Sequence, residues 1–485
     1  MRYQKFIKMR IAKFLIIFII AYISTSCGTG NTNIVPDIPD LPQGEESIDF
    51  TFGHEGIAYI WDESIIPEIH ISVSLDEWNK LLKGYDQNNH IVDYFHCDVD
   101  YIKGGEKSSI KDAGVRLRGN TSRRRPEGVS GEEHKKDNAD WHHCHFGLNF
   151  RKFNKDDEHE LKGIRKINLK WFKDDPTYVR ELYCYDLFRR YNIWTAANDT
   201  YCRLFIHIEG DSKEAYFGVY QMIEPVDNKF ISKREEYFGS KDGNLWKCGY
   251  PATFSDNNAS MGLDENKGIE YVYEYKGDEE DYSAAVNQLK DFMLKLQGKS
   301  DESFYTWIKE ICDVEFLLKT YAVNVAVGMW DDHWNNGNNF YIFFNSFDLY
   351  NYKIFFIPYD YDNTLGTSSN CGVLSDSGRQ DPYNWGDRGL LMERLMKFDE
   401  FREIYKNALL ELVDPENELF SINSSVERIQ KWQDKISKFV SNDTGEDMVI
   451  EDKPAYWGNH SEYRLIDKGA NNFFRVKEES IRKMD

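Results

Sequence analysis

The sequence predicts an α+β protein that opens with a small β-rich unit. Three observations lead there. Short segments alternating apolar with polar residues dominate residues 49–112, as half-buried strands require. Beyond them, strand-like segments are interleaved with stretches of helical spacing. In the C-terminal half, two almost wholly apolar runs at 340–344 and 353–358 flank a polar connection, as a buried hairpin would.

Composition narrows the class. The chain has 485 residues, 29% of them charged and 15% aromatic, too aromatic for a disordered chain. Its net charge of -22 argues against nucleic acid as a partner, because phosphate backbones are held by clustered Lys and Arg.

Residues 1–26 read as a targeting segment: "MRYQKFIKMRIAK" is basic, "FLIIFIIAYI" apolar, and "STSC" brings small residues up to Cys27. This resembles a bacterial lipoprotein signal, which makes Cys27 the acylated mature N-terminus. The apolar run falls short of the roughly 20 residues that a bilayer-spanning helix needs. Residues 27–48, rich in Gly, Pro and Asn, read as a flexible tether, so the folded body works outside the cytoplasm, in the periplasm or at the cell surface. The remaining cysteines, at 97, 144, 184, 202, 248, 312 and 371, show no CxxC spacing and so no legible zinc site or disulfide framework.

In the β-rich unit at 49–112, "IPEIHISVS" and "HIVDYFHCDVDYI" alternate as strands and "LDEWNKLLKGY" has helical spacing. The main domain, 113–440, begins with "AGVRLRGNTSRRRPEG", a strand running into a glycine turn with five arginines between 116 and 125. That turn is either a solvated basic loop or one that faces an anion. "HFGLNFRKF" and "KINLKWF" are strands. "DDPTYVRELYCYDLFRRYNI" is a helix capped by Asp174 or Asp175, with Pro176 in its first turn. "CRLFIHIEG" and "YFGVYQMIEPV" are strands, and 251–281 reads as a polar insertion. "YSAAVNQLKDFMLKLQ" and "YTWIKEICDVEFLLKTYAVNVAVGMW" each read as one helix, with further helices near 389–412 and 424–440 and a C-terminal extension over 441–485.

The chemistry concentrates in "WDDHWNNGNNFYIFF" (330–344) and "YKIFFIPYDYDNTLG" (352–366). An antiparallel hairpin sets the start of its first strand beside the end of its second, which brings Asn339 near Asp360. A helix delivers Asp332 to the same place. Oxygen ligands on loops held by a buried hairpin suit a hard cation such as Mg²⁺. The EF-hand pattern D-x-[DN]-x-[DN]-G fails at both stretches, whereas an Asn/Asp turn with no chemistry fits the first. Protein kinases use the same order of parts: a base Asp, a metal-holding Asn, a hairpin, and a metal-bridging Asp. Their usual spacing of five from Asp to Asn is met by Asp331 and Asn336, while Asp332 lies six from Asn338 and seven from Asn339; the second triplet is "DYD", not "DFG".

The chain resembles the CotH kinases, atypical secreted or surface kinases related to spore coat protein H. The matching stretches are "GVRLRGNTS", "DPTYVRELYCYDLFRRYNI", "YFGVYQMIEPVDNKFI", "NLWK", "DDHWNNGNNFYIF" and "IPYDYDNTLG", in order over 113–366, with "LLMERLMKFDEFREIY" extending the likeness to about 405. The resemblance implies an atypical protein-kinase-like fold, use of ATP with Mg²⁺ or Mn²⁺, and phosphorylation of protein hydroxyls on an unidentified acceptor. By position it makes Asp332 the catalytic base, Asn339 a metal ligand and Asp360 the principal metal ligand. On the nucleotide side Lys152 is a candidate for the strand lysine, with Glu181 as its partner; Lys247 is an equal candidate, and Glu224 stands at a hinge or caps a turn. Neither G-x-G-x-x-G nor G-x-x-x-x-G-K-[ST] occurs. The membrane would be reached only through the lipid on Cys27. A second class, a non-catalytic surface or periplasmic binding protein on the same fold, fits a compartment where ATP is scarce.

Overall fold

The computed structural model describes residues 48–484 except 157–158, 174, 264–269, 368–375 and 441–462. The signal segment, Cys27 and Asp174 therefore lie outside the described residues. The α+β class holds.

The N-terminal half builds β1 (Glu68–Val73), β2 (Phe95–Lys103), β3 (Glu106–Arg118), β4 (His145–Asn149), β5 (Lys166–Lys170), β6 (Asp199–Ile208) and β7 (Ala215–Ile223). These close into a barrel in the order β1-β2-β3-β4-β5-β7-β6. Neighbours are antiparallel except at the closure, where β1 runs parallel to β6 with Glu68 opposite Arg203. Closure leaves no sheet edge open, and the alternation read in the sequence turns Ile69, Ile71 and Val73 into the interior. The β-rich N-terminal unit read at 49–112 supplies barrel strands, and residue 112 lies inside β3. Its helix α2 follows α1 (Glu55–Ile60), spans Leu75–Gln87 from a Ser74 cap, and buries Trp78, Leu81 and Leu82 in the barrel core.

A second sheet contains β8 (Asn244–Cys248), β9 (Met261–Gly262), β10 (Tyr273–Tyr275), β11 (Phe340–Phe344) and β12 (Ile354–Pro358), ordered β12-β11-β8-β10-β9. The stretch read as a polar insertion at 251–281 supplies β9 and β10, too short to show periodicity. The expected hairpin forms with Phe340 opposite Pro358, and every residue of β11 and β12 is buried.

The helices are α3 (Arg180–Arg190), α4 (Asn228–Lys233), α5 (Glu235–Phe238), α6 (Tyr282–Gly298), α7 (Asp301–Ile311), α8 (Val314–Ala326), α9 (Leu390–Leu395), α10 (Asp399–Leu412), α11 (Ile422–Val440) and α12 (Phe473–Ile481). The long helix expected to run into the Asp331 loop is two, because Asp313 uses its carboxylate to cap a fresh start at α8, accepting from Phe316 N at 2.9 Å. The expected extension at 441–485 divides: residues 441–462 lie outside the described set, and α12 buries Phe473 and Phe474 in the same core as α3, α8 and α10. No helix among the described residues is long and apolar enough to cross a membrane.

Helix α3 starts later than expected. Pro176 sits in a turn before it, and Asp175 reaches forward: one oxygen accepts from Val179 N and Arg180 N, both at 2.8 Å, and the other from Thr177 N at 2.9 Å and the Arg180 guanidinium at 2.6 Å. Arg180 also donates to Thr364 O at 3.2 Å, tying the helix start to the loop after β12. Asp175→Ala removes this shared acceptor and leaves a buried guanidinium uncompensated, so urea unfolding is expected to show a loss of about 3–5 kcal/mol, with Asp175→Asn losing less.

Candidate functional site

A cleft of about 530 Å³ lies between the barrel and the second sheet. Strands β3 and β5, helix α3, strand β8 and the loops 331–339 and 359–363 all contribute to its walls.

Lys170, the last residue of β5, is at its centre. Its ammonium pairs with Glu181 of α3 at 2.7 Å, with Asp362 at 3.1 Å and with Asp360. Burial would lower the pKa of this lysine, but the charges of Asp360, Asp362 and Glu181 outweigh burial and hold it well above the ordinary value. Burial also pushes Asp360 up, and Lys170 overrides it, leaving that carboxylate below its usual range. Glu181, deeper in the cluster, is raised by burial and by the nearby Asp360 charge.

Two left-handed residues mark the exits of the hairpin. Asn339 has φ 56° and Asp360 φ 63°, a conformation that Asn and Asp tolerate better than other L residues. Both line the cleft.

Asp331 lines it too, and three amides converge on its carboxylate: Asn336 Nδ2 at 2.6 Å, Asn338 Nδ2 at 3.0 Å and Asn339 Nδ2 at 3.0 Å. Burial pushes its pKa up to about 6; these amides oppose the rise and the Asp360 charge adds to it. Asp332 instead points into the protein. It is 2% exposed, absent from the cleft wall, and accepts from Asn335 N at 2.8 Å. Its carbonyl accepts from Asn336 N at 3.0 Å and Asn338 N at 3.1 Å, so Asp332 shapes the turn that presents its neighbour.

The basic turn contributes to the same wall. Arg116, Arg118 and Arg123 line the cleft. Arg118 donates to Asn168 Oδ1 and, at 3.3 Å, to the Tyr359 hydroxyl. Gly119 adopts φ +102°, and a Cβ there would meet Ser122 Oγ at 2.4 Å, so only glycine makes this turn. Arg123 holds the turn through Gly119 O at 2.7 Å, Arg124 packs over Trp171, and Arg125 pairs with Asp86 at 2.9 Å. The turn is thus divided between an anion-facing side and structural anchors.

The residues expected on the nucleotide side separate. Glu181 and Lys247 line the cleft. Lys152 does not: it follows β4 in a turn, with its ammonium 5.1 Å from the Tyr94 ring. Its expected place beside Glu181 is taken by Lys170. Glu224 is buried away from the cleft against Arg234 at 2.7 Å, and its N–H donates to Asn198 O at 2.8 Å, which makes it a structural ion pair. Of the two adjacent aspartates, Asp331 and not the expected Asp332 faces the cleft.

Asp360, Asp362 and the Asn339 amide oxygen are hard donors of the type that Mg²⁺ or Mn²⁺ takes, so the residues fit such an ion. The Asn339 nitrogen is engaged by Asp331, which leaves its oxygen for a cation. Among the described residues no group of three or more His, Cys, Asp or Glu stands ready to hold a metal, and Lys170 pairs with both Asp360 and Asp362.

A cleft with a cationic wall, a lysine fixed by a helix carboxylate, and aspartates on loops at both ends of a hairpin is built to hold a polyanion against acidic groups. A family model described as CotH kinase protein matches residues 115–466, and the chain belongs to that family. No curated protein matches the chain.

Lys170→Met strands its carboxylates. Because Asp360 is 35% exposed, the expected loss of ligand-free stability is about 2–3 kcal/mol, below the range for fully buried pairs. Adding Asp360→Asn should recover part of it, a non-additivity of about 1 kcal/mol or more. Lys152→Met should stay within about 0.5 kcal/mol of wild type in the same urea titration.

Proposed function

We propose that the protein is an ATP- and divalent-metal-dependent phosphotransferase that modifies protein hydroxyl groups outside the cytoplasm, anchored to a membrane by lipid on Cys27. The observation that carries this is the Lys170–Glu181 pair, at 2.7 Å, in one cleft with Asp331, Asn339 and Asp360. Protein kinases combine a strand lysine paired to a helix glutamate, a base Asp followed by Asn, and a second Asp beyond a hairpin. Each part has a counterpart here in the same chain order. That correspondence, with family membership, supports a kinase-like body.

The roles follow from the chemistry of each group. Lys170, steered by Glu181, and the Arg118 and Lys247 side chains bind phosphate oxygens and orient the nucleotide. Asp360, Asp362 and Asn339 would hold Mg²⁺ or Mn²⁺, which when bound neutralises phosphate charge. Asp331 accepts the proton of the acceptor hydroxyl at a carboxylate oxygen. A pKa of about 6 leaves it ionised at neutral pH yet more basic than an exposed aspartate. Its three asparagine donors fix that carboxylate without neutralising it.

The test is incubation of purified residues 28–485 with labelled ATP and Mg²⁺ or Mn²⁺, with and without candidate protein acceptors. Label is expected on protein. Asp331→Asn should reduce transfer by about 100-fold or more while the nucleotide-induced rise in melting temperature persists. Asp360→Asn should abolish the metal-dependent part of that rise. A retained shift and retained transfer in Asp360→Asn would remove it as metal ligand. A nucleotide shift with no transfer to any acceptor would favour the non-catalytic binding reading. Cys27→Ser should release the protein from the membrane fraction.

A further inference from the structure

Lys477 lies on α12, wholly buried. Among the described residues its ammonium has one hydrogen-bond acceptor, Ser377 O at 3.1 Å, and it lies 4.4 Å from the centre of the Trp385 ring. The charged groups acting on it, Asp376 and Asp381, do not pair with it, and burial pushes its pKa down to about 7. A buried ammonium so poorly compensated weakens a fold, and an apolar residue of similar length would pack there at less expense.

What Lys477 touches leads to the cleft. Trp385 is also wholly buried, and its indole nitrogen and Asp332 Oδ2 are each buried without a hydrogen-bond partner among the described residues. The two lie close enough for the indole to favour the ionised carboxylate, short of hydrogen-bond geometry. Asp332 in turn holds the backbone of 335–338, the turn whose amides grip Asp331. The C-terminal residues grasp the intervening segment elsewhere as well: Ser480 donates to Gln380 O at 3.0 Å and the Tyr463 hydroxyl to Asp376 at 2.6 Å.

We propose that Lys477 is a positioning residue: from α12 it holds Trp385 against Asp332 and so sets the loop that presents Asp331 to the cleft. Its kinetic consequence rests on the phosphotransferase reading, whereas its effect on the loop does not. Helix α12 thereby tunes turnover while touching no substrate.

Lys477→Met in the full chain tests this by three measurements. Amide hydrogen exchange at Asn335, Asn336 and Asn338 should quicken about tenfold in ligand-free protein. Melting temperature should hold or rise by a few degrees at pH 7. The folded-state pKa lies below the unfolded value of 10.5, so the lysine's penalty is full at and below about pH 7 and fades as pH rises toward 10.5, and the gain from methionine should fade with it. Label transfer should lose about tenfold in kcat with KM for ATP little changed. Trp385→Phe, which keeps a ring but removes the indole N–H, should reproduce the faster exchange. Unchanged exchange at 335–338 overturns the proposal, whether or not label is transferred. So does a lower melting temperature with exchange quickened throughout the barrel, which is the mark of a packing role alone. Quickened exchange at 335–338 in a protein that transfers no label upholds the brace and refutes the phosphotransferase reading.

Discussion

One ammonium holds the cleft together. Glu181 comes from a helix, Asp360 and Asp362 from the loop beyond a hairpin, and all three meet Lys170 at the end of a barrel strand. Like charges about 4 Å apart repel by about 4 kcal/mol at an effective dielectric near 20, so these carboxylates cannot share the site without a cation among them. Lys170 is therefore the joint between barrel, helix and second sheet, and each of the three has its own device for arriving there. Asp175 gathers the start of α3, Arg180 ties that start to Thr364, and the register of β11 with β12 fixes where Asp360 emerges.

The hairpin could do this only as a buried element. Both faces of β11 and β12 are covered, so side-chain packing and not an apolar/polar alternation sets their register, and Phe340 stacks on Phe356 at 4.8 Å to hold the match. The chain then leaves the sheet abruptly at both ends through left-handed Asn339 and Asp360. A β-branched residue at either point would carry strain of about 1–3 kcal/mol. The functional residue types and the conformationally tolerant ones coincide at these exits.

This explains which parts were legible beforehand. Asn339 and Asp360 followed from pairing two apolar runs, and Glu181 from a stretch of helical spacing, and all three line the cleft. Lys170 was missed for Lys152 although "KINLK" carried a signal: Ile167 and Leu169 face the barrel core, which sends Lys166 and Lys170 to the other side, just before the helix bearing Glu181. Lys152 has no such parity, because it lies beyond the end of β4. The choice between Asp331 and Asp332 turned on side-chain direction within a loop, which periodicity does not address, yet the five-residue spacing from Asp331 to Asn336 marked the pair that does hydrogen-bond. The barrel was obscured because "SRRRPEGVSGEEHKKDNADWHHC" separates β3 from β4, and nothing local says that strands on either side of so long a polar stretch are neighbours.

The density of asparagine in the loop 331–339 has a physical reason. Two of the aspartates that line the cleft are driven in opposite directions: Lys170 holds Asp360 below its usual range, while burial among neutral amides raises Asp331 to about 6. Had the donors to Asp331 been lysine or arginine, the same grip on its carboxylate would have come with a depressed pKa and a second acid that could not take up a proton. Asparagine donates a hydrogen bond and brings no charge. Asn336, Asn338 and Asn339 can therefore immobilise Asp331 and leave it basic, while Lys170 holds Asp360 ionised. Pushing two like groups apart in this way gives a single cleft one raised and one lowered carboxylate from the same residue type.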